Sequence, residues 1–249
     1  MFYEITFSPT GGTKKAADFL SAAWNEKTEI DLCRREEDFS QYIFTGEDIC
    51  LMAVPSFGGR VPAIAAERLS RMQGGGAKAI LVAVYGNRAY EDTLAELEDI
   101  LKACGFLPVA GAAVVAEHSI MREFAAGRPD AADEEQLKGW SRKLKEKAEQ
   151  GGPITFPGNR PYKKYGALPM TPKAGKECGG CGICAAKCPV GAIPKDNPRE
   201  TDGEKCITCM ACVAVCPQKA RSVNPVLLAG ARAMLKKALE GRKENELFL

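Results

Sequence analysis

The chain is poor in histidine and tryptophan, and it lacks long apolar runs. Its 249 residues include one His and two Trp. A single His argues against mixed Cys/His zinc sites, which need several such ligands. No apolar stretch approaches the ~18 residues of a membrane-spanning helix, so we expect no membrane span. The N-terminus enters a strand-like stretch without a basic and apolar leader, which predicts a chain that stays in the reducing cytoplasm.

The net charge is also small, but its sign differs between two parts of the chain. The formal net charge is +2, with 18 Lys/Arg against 24 Asp/Glu in residues 1–150 and 16 against 8 in residues 151–249. No basic stripe interleaved with aromatic residues is present, so we expect no nucleic-acid partner. The opposite signs favour docking of the two parts, or electrostatic steering of an acidic partner protein to the basic part. The cations best placed for steering are Lys163, Lys164, Lys173 and Lys176.

Cysteine is abundant and concentrated in the second part. Of 11 cysteines, only Cys33, Cys50 and Cys104 lie in the first 150 residues, where they fit small buried hydrophobes. The other eight form two runs of one pattern, 28 residues apart. The runs are Cys178-x-x-Cys181-x-x-Cys184-x-x-x-Cys188-Pro189 and Cys206-x-x-Cys209-x-x-Cys212-x-x-x-Cys216-Pro217. In a reducing compartment, this repeat indicates a thiolate-bound metal rather than disulfides.

The spacing suits two [4Fe–4S] clusters with crossed ligand sets. Three thiolates of one run can wrap three irons of a cubane, and the last Cys of each run ligates the other cluster. The first predicted ligand set is Cys178, Cys181, Cys184 and Cys216. The second predicted ligand set is Cys206, Cys209, Cys212 and Cys188. The alternative is a pair of zinc-ribbon knots, which also use C-x-x-C pairs but differ in spacing and lack the closing proline.

Residues 176–223 resemble the bacterial dicluster ferredoxins, a small α+β fold. The resemblance implies clusters of low potential that transfer single electrons. One departure is Arg221, since such modules usually carry an aliphatic residue at this position. We expect this charge either to expose the cluster whose fourth ligand is Cys216 or to offer a cation to a partner.

The first 150 residues alternate apolar strand segments with helical segments. The predicted strands are Phe2–Phe7, Thr28–Cys33, Asp48–Val54, Ala77–Val84 and Leu107–Ala116. The predicted helices are Thr13–Trp24, Pro62–Met72, Ala89–Cys104 and Asp130–Gln150. Strands that are apolar on both faces and separated by helices indicate an α/β fold with a doubly wound, five-stranded parallel sheet.

The turn after the first strand is rich in hydroxyls and glycines, namely Ser8, Thr10, Gly11, Gly12 and Thr13. Such a strand-to-helix turn offers free N–H groups, hydroxyl donors and a positive helix end to a phosphate. It is neither a P-loop nor a dinucleotide fingerprint. It resembles the FMN-phosphate loop of flavodoxins, which implies bound FMN and the strand order 2-1-3-4-5. The alternative is a polar turn that only caps the helix.

By the same resemblance, the ends of the third and fourth strands would border the flavin ring. The candidate residues are Ser56, Phe57, Gly58, Gly59, Tyr85, Gly86, Asn87 and Tyr90. A Gly58 or Gly59 carbonyl would face flavin N5. Phe57 or Tyr90 would stack on the ring, with rim packing as the alternative role for these aromatics. Backbone N–H groups near Asn87 would meet the pyrimidine edge.

The whole chain resembles the flavodoxin–ferredoxin fusion proteins of anaerobic bacteria. The predicted parts are an FMN domain (1–150), a Pro/Gly-rich linker (151–172), a 2[4Fe–4S] ferredoxin domain (173–223), and an amphipathic helix with a tail (224–249). We expect this helix to pack on the chain's own surface, with contact to a membrane surface as the alternative. The resemblance implies electron transfer between FMN and two clusters, and onward to redox partner proteins. One alternative is an FMN-dependent reductase of a small molecule that is fed by its own ferredoxin domain. His118 could deliver protons to the reduced flavin, with a capping or packing role as the alternative. Another is a ferredoxin whose flavin-free domain only docks.

Overall fold

The strands and helices predicted from the apolar pattern are present, close to the expected bounds, in this computed structural model. It describes residues 1–166 and 170–249, so residues 167–169 of the predicted linker lie outside the described residues. The strands are β1 (Phe2–Thr6), β2 (Thr28–Asp31), β3 (Ile49–Pro55), β4 (Lys78–Tyr85), β5 (Leu107–Val115), β6 (Lys173–Ala174), β7 (Arg221–Ser222) and β8 (Glu246–Phe248). The helices are α1 (Gly12–Leu20), α2 (Ala63–Leu69), α3 (Thr93–Ala103), α4 (Ala131–Gln150), α5 (Ile183–Ala186), α6 (Ala211–Ala214) and α7 (Pro225–Leu239), with a short 3-10 turn at Phe39–Gln41.

Five parallel strands form the sheet in the order β2-β1-β3-β4-β5. This is the flavodoxin-like order of doubly wound sheets, and it confirms the predicted fold. Successive residues of β3 face opposite layers. Cys50 and Met52 pack with residues of α2 and α3, whereas Leu51 and Ala53 pack with residues of α1 and α4. All four side chains are fully buried, as expected for a parallel strand covered on both faces, so Cys50 is a core residue.

A sixth strand, β8, extends the sheet beyond the five that the sequence predicts. It pairs antiparallel with β5, with Phe248 opposite Gly111. Just before it, the buried Asn245 accepts at Oδ1 from the Val115 N–H and donates from Nδ2 to Asp133 Oδ1, both at 2.9 Å. Without β8, the edge of β5 would present unpaired main-chain groups. The C-terminal segment therefore completes the first domain's sheet.

Helix α7 leaves most of its apolar side chains exposed. Asn224 caps it by accepting from the backbone N–H of Val226 at 2.9 Å. Val226 is 77% exposed and Met234 is 83% exposed, whereas Leu239 is buried. The expectation that the apolar face packs on the chain's own surface is therefore wrong. The C-terminal end of the helix is the anchored part, because the Leu239 carbonyl accepts from Asn87 Nδ2.

The linker runs back across the first domain. Phe156 is buried against the sheet beside Gly111, where an added Cβ would lie 2.5 Å from the Phe156 ring. The carboxylate of Asp92, which precedes α3, accepts from the backbone N–H groups of Asn159 at 2.8 Å and Lys163 at 2.6 Å. These contacts direct the chain from α4 toward the carboxyl edge of the sheet.

The cysteine-rich module is a repeat in structure as well as in sequence. Strand β6 pairs antiparallel with β7, and α5 and α6 each begin inside a cysteine run. Three pairs of positions share left-handed φ angles, namely Gly180 and Thr208, Gly182 and Met210, and Gly191 and Lys219. Such φ angles favour glycine, which only the first run supplies at these positions. Both halves therefore follow the same backbone path despite their different side chains.

Candidate functional site

A cavity of about 280 Å³ lies at the carboxyl edge of the sheet. This is the switch point of a doubly wound sheet, where such folds bind ligands. The predicted flavin-site residues that line it are Thr10, Gly12, Thr13, Ser56, Phe57, Gly58, Tyr85 and Gly86. Those that do not line it are Ser8, Gly11, Gly59, Asn87 and Tyr90. We call this space the flavin cavity, after the ligand that the sequence predicts.

The turn after β1 presents the start of α1 to the flavin cavity. Gly11 precedes the helix with a φ of 91°, which glycine adopts without strain. Ser8 Oγ accepts from the backbone N–H of Lys14 at 2.8 Å, so this hydroxyl caps the helix. The N–H groups of Gly12 and Thr13 belong to the first helical turn, where no intrahelical acceptor exists. The turn therefore combines a cap with a cradle that suits an anion.

The turn after β3 is a two-residue hairpin. Phe57 and Arg60 exchange backbone hydrogen bonds of 3.0 and 3.2 Å. The two intervening glycines have φ angles of 62° and 88°, as a type I′ turn requires. The Gly59 carbonyl accepts from the Asp92 N–H at 3.0 Å, whereas Gly58 lines the flavin cavity. Of the two carbonyls predicted to face flavin N5, that of Gly58 is the better placed.

His118 lines the flavin cavity close to the end of β4. Its Nδ1 accepts from the backbone N–H groups of Ile120 at 3.2 Å and Met121 at 3.1 Å, so the ring caps this turn. The ring proton is therefore on Nε2. Burial lowers the pKa of His118, which keeps the imidazole neutral at pH 7. Gly86 passes directly beside it, because an added Cβ there would lie 2.9 Å from the His118 ring.

Asn87 and Tyr90 contact the C-terminal segment instead of lining the flavin cavity. Asn87 Nδ2 donates to the Leu239 carbonyl at 2.5 Å. The Tyr90 hydroxyl donates to Glu246 Oε2 at 2.9 Å, and this contact together with burial raises the pKa of Tyr90. The partners lie 152 and 156 residues away in the chain, which is why local sequence patterns gave no sign of them.

The eight cysteines of the module surround two small cavities. One is lined by Cys178, Cys181, Cys184 and Cys216, which we call the distal cysteine set. The other is lined by Cys206, Cys209, Cys212 and Cys188, which we call the proximal cysteine set. These are the crossed groups expected from the spacing. All eight thiols are free, so each cavity presents the four sulfur atoms that a [4Fe–4S] cluster needs.

Main-chain N–H groups point at the sulfurs of the last cysteine in each run. The Ala192 N–H donates to Cys188 Sγ at 3.2 Å, and the Ala220 N–H donates to Cys216 Sγ at 3.2 Å. Such bonds tune the potential of a bound cluster. The equal distances in the two halves follow from the repeated backbone path.

Burial favours the protonated form of two of the proximal thiols. It raises the pKa of Cys209 to about 12 and also raises the pKa of Cys212, so both thiols stay protonated at neutral pH until a metal displaces the proton. The charge of Arg221 opposes this effect at Cys212. Arg221 itself is only 2% exposed. The expectation that Arg221 offers a cation to a partner is therefore wrong, whereas the exposure of the cluster whose fourth ligand is Cys216 stays a prediction.

The proximal cysteine set shares a wall with the flavin cavity. The segment Cys206–Cys209 lines the cavity opposite the turns of the first domain, and Ile207 packs against that domain's core. The buried Arg68 of α2 donates from Nη2 to the Pro189 carbonyl at 2.7 Å, directly after Cys188. Sequence reasoning missed Arg68, because no motif distinguishes it from the other charges of its helix.

Comparison with known proteins identifies the cysteine module. Residues 177–221 match the family described as the 4Fe-4S dicluster domain. A component of the ion-translocating oxidoreductase complex of Methanosarcina acetivorans is 54% identical over 44 residues, which is 17% of this chain and 17% of that protein. The chain thus spans about a sixth of this curated relative.

Solved structures similar to this chain include several flavodoxins. A flavodoxin from Streptococcus pneumoniae TIGR4 is 19% identical, with 59% of this chain and 99% of that chain covered and a TM-score of 0.43. Flavodoxin 1 from Bacillus cereus is 19% identical, with 58% and 97% covered and a TM-score of 0.43. The rubredoxin oxygen:oxidoreductase of Desulfovibrio gigas is 16% identical, with 60% and 36% covered and a TM-score of 0.43. The fold assignment itself rests on the observed strand order.

The fold and the matched module together define the class of protein. The chain joins a flavodoxin-like α/β domain to a 4Fe-4S dicluster domain, which is the architecture expected of a flavodoxin–ferredoxin fusion. In the part of the chain that the structure describes, no helix has the length and apolar character needed to cross a membrane.

Proposed function

We propose that this protein transfers electrons between an FMN in the flavin cavity and two [4Fe–4S] clusters held by the proximal and distal cysteine sets. The observation that carries the proposal is the shared wall. Cys206 and Cys209 line both the proximal cluster cavity and the flavin cavity. Because electron transfer slows steeply with distance, adjoining sites suit direct exchange between flavin and cluster.

The residues of the flavin cavity suit FMN. Its volume of about 280 Å³ is near the lower end of ordinary cofactor sites, ~300–1,000 Å³. The free N–H groups of the first turn of α1 and the Thr13 hydroxyl would bind the phosphate. Phe57 offers a ring for stacking, and the Gly58 carbonyl offers an acceptor. Bound FMN supplies both one- and two-electron chemistry, which would connect the two kinds of carrier.

The residues of the module suit two clusters in series. Each cavity gathers four sulfurs, and one sulfur of each set accepts a hydrogen bond from a main-chain N–H group. Buried apolar side chains such as Ile193 exclude water from the space between the sets. The proximal set adjoins the flavin cavity, so the distal set is left to exchange electrons with an external protein.

The surface near the distal set suits an acidic redox partner. Cys181 is exposed, and the neighbouring Ile183 is 41% exposed. Exposed cations on the same part of the chain include Lys164, Lys173 and Lys176, whereas Lys163 is paired with Glu91. A partner with a complementary acidic face would be steered to this surface, and its association rate would fall as ionic strength rises.

The test is anaerobic purification with quantitation of iron, sulfide and FMN, followed by rapid reduction. We expect about eight iron atoms and one FMN per chain, as two cubane clusters and one flavin require. Flavin reduction after a pulse of cluster reduction should be first order and independent of protein concentration. A chain that contains iron but no flavin would support the alternative of a ferredoxin whose flavin-free domain only docks. A rate that rises with protein concentration would contradict direct transfer.

A second candidate is a reductase in which the flavin reduces a bound small molecule. It is favoured by the presence of His118 and Tyr85 in the cavity wall. The Tyr85 hydroxyl, however, donates to the Glu244 carbonyl at 3.4 Å, and Nδ1 of His118 is engaged as a cap, so only its Nε2–H is left to face a substrate. Reoxidation of the reduced protein that depends on an added small molecule would select this candidate over a carrier.

A further inference from the structure

Arg221 breaks the repeat of the cysteine module at a buried position. Its counterpart 28 residues earlier is Ile193, which is 2% exposed and packs with Cys184 and Cys212. Arg221 is equally buried, at 2% exposure. Burying a guanidinium costs about several kcal/mol unless an opposite charge compensates it. The other half of the repeat has isoleucine at this position and avoids the cost of a buried charge. The charge of Arg221 therefore needs a compensating partner.

The hydrogen bonds of Arg221 place its guanidinium between the two cysteine sets. Nη1 donates to the Pro198 carbonyl at 2.7 Å and lies 3.6 Å from Cys184 Sγ. Nη2 donates to the Pro172 carbonyl at 3.3 Å and to the Thr201 hydroxyl. Pro198 and Cys184 line the distal cavity, whereas Pro172 and Thr201 line the proximal one. One guanidinium therefore reaches the walls of both cluster cavities.

The protein groups around Arg221 do not neutralise it. Its hydrogen-bond partners are carbonyls, a hydroxyl and thiols, and among the described residues its Nε is buried without a partner. Within residues 1–166 and 170–249, no carboxylate forms an ion pair with it. A [4Fe–4S] cluster with four thiolates carries a net charge of about −2 when oxidised and about −3 when reduced. Two such clusters would supply the missing negative charge and acceptors for Nε.

We propose that Arg221 sets the reduction potentials of both clusters at once. Its fixed positive charge interacts more strongly with the reduced, more negative state, so it raises both potentials, and the low dielectric of the interior enlarges the effect. Lying between the clusters, it also offsets their mutual repulsion when both are reduced. This inference rests on the two clusters of the proposed function.

The test is a redox titration of the anaerobic, FMN-loaded chain, followed by the EPR signals of the reduced clusters. Arg221→Ile places the residue of the other half of the repeat at this position. We expect both cluster potentials to fall. At a fixed ambient potential near the wild-type midpoint, the reduced-to-oxidised ratio should drop about tenfold, or ~59 mV for a one-electron couple.

Two control variants separate this role from general effects of charge. Arg221→Lys keeps the charge and should stay near the wild-type potentials. Arg199→Leu removes an exposed guanidinium that donates to the Cys178 carbonyl beside the distal set. The shift in reduction potential caused by Arg199→Leu should be smaller and confined to the distal cluster. It should also be lost at high salt, because exposed charges are screened. The shift in Arg221→Ile should persist at high salt.

Iron content in each variant distinguishes the possible failures. Wild-type potentials in an Arg221→Ile protein with full iron content would overturn the inference while leaving the proposed function intact. If Arg221→Ile does not retain iron, Arg221→Gln is compared with Arg221→Lys, because only the second keeps the charge. Equal cluster reduction potentials in these two variants would also overturn the inference. Fewer than two clusters in the wild-type chain would contradict the proposed function and this inference together.

Discussion

Arg68 and Pro189 join the two domains through a buried hydrogen bond, in which Nη2 of Arg68 donates to the Pro189 carbonyl at 2.7 Å. Nη1 of the same guanidinium donates to the Leu32 carbonyl just after β2, and the group lies 5.6 Å from the centre of the Phe39 ring. Pro189 directly follows Cys188. The position of one proximal cysteine therefore depends on a side chain of the flavodoxin-like domain.

Replacing this side chain should loosen the contact between the domains. Arg68→Met leaves two buried carbonyls without donors, so we expect the free energy of unfolding to fall by about 2 kcal/mol or more. Transfer between flavin and the proximal cluster should slow, because their separation is no longer fixed. Thermal unfolding and pulse-reduction kinetics measure the two effects.

The matched control is Arg71→Met, which lies on the solvent side of the same segment and pairs with Asp38. Exposed ion pairs contribute little, so the expected loss is below ~1 kcal/mol with unchanged kinetics. Equal behaviour of Arg68→Met and Arg71→Met would show that the buried contact does not hold the domains together.

Thr13 provides a test of phosphate binding that does not depend on the clusters. Its side chain is 4% exposed and lines the flavin cavity. Thr13→Val removes one hydroxyl donor at nearly constant volume, and hydrogen bonds to charged groups contribute about 1.5–3 kcal/mol. We expect at least a tenfold weaker Kd for FMN and an unchanged Kd for riboflavin, measured by flavin fluorescence titration of flavin-free protein. An equal loss for both ligands would place the phosphate elsewhere.

Single cysteine substitutions test the crossed ligand sets. Cys216→Ser removes a sulfur from the distal set, although Cys216 belongs to the same sequence run as three proximal cysteines. We expect this variant to keep flavin reduction by the proximal cluster and to lose electron exchange with external acceptors. Cys188→Ser should instead lose flavin reduction by the proximal cluster and keep electron exchange with external acceptors, because Cys188 lines the proximal cavity. If each run served its own cluster, the two variants would exchange phenotypes.

Sequence patterns predicted those parts of the molecule that depend on short segments. Strands β3, β4 and β5 show long apolar runs, and the cysteine spacing predicts which sulfurs gather in each cavity. Strand β8 escaped prediction because three residues are too few for a periodic pattern and its partner strand is distant in the chain. The burial of Arg221 also escaped, since a charged residue is ordinarily exposed. What could balance the buried charge of Arg221 is apparent only in the structure, where its guanidinium reaches the walls of both cysteine cavities.

Asp92 ties the linker to the first domain and should influence both stability and the flavin cavity. Its carboxylate accepts from the backbone N–H of Asn159, from Asn159 Nδ2 at 2.9 Å and from the backbone N–H of Lys163. Burial alone would raise the pKa of Asp92, but these hydrogen bonds outweigh it and lower the pKa. A lowered pKa in the folded state means that the stabilisation is fully present above the unfolded value of about 3.9 and is lost as pH falls below it.

At pH 7, Asp92→Asn should therefore remove the whole contribution of the charge. The amide keeps the size of the side chain but sets an NH₂ group against N–H donors, so we expect a loss of about 1–3 kcal/mol in unfolding free energy. Proteolysis within 151–172 should accelerate, and FMN should bind more weakly, because Tyr165 and Gly166 of the linker line the flavin cavity. Asp99→Asn is the control, since Asp99 binds Arg160 of the same linker through an exposed ion pair and should lose below ~1 kcal/mol. Equal effects of the two substitutions would mean that the buried carboxylate does not anchor the linker.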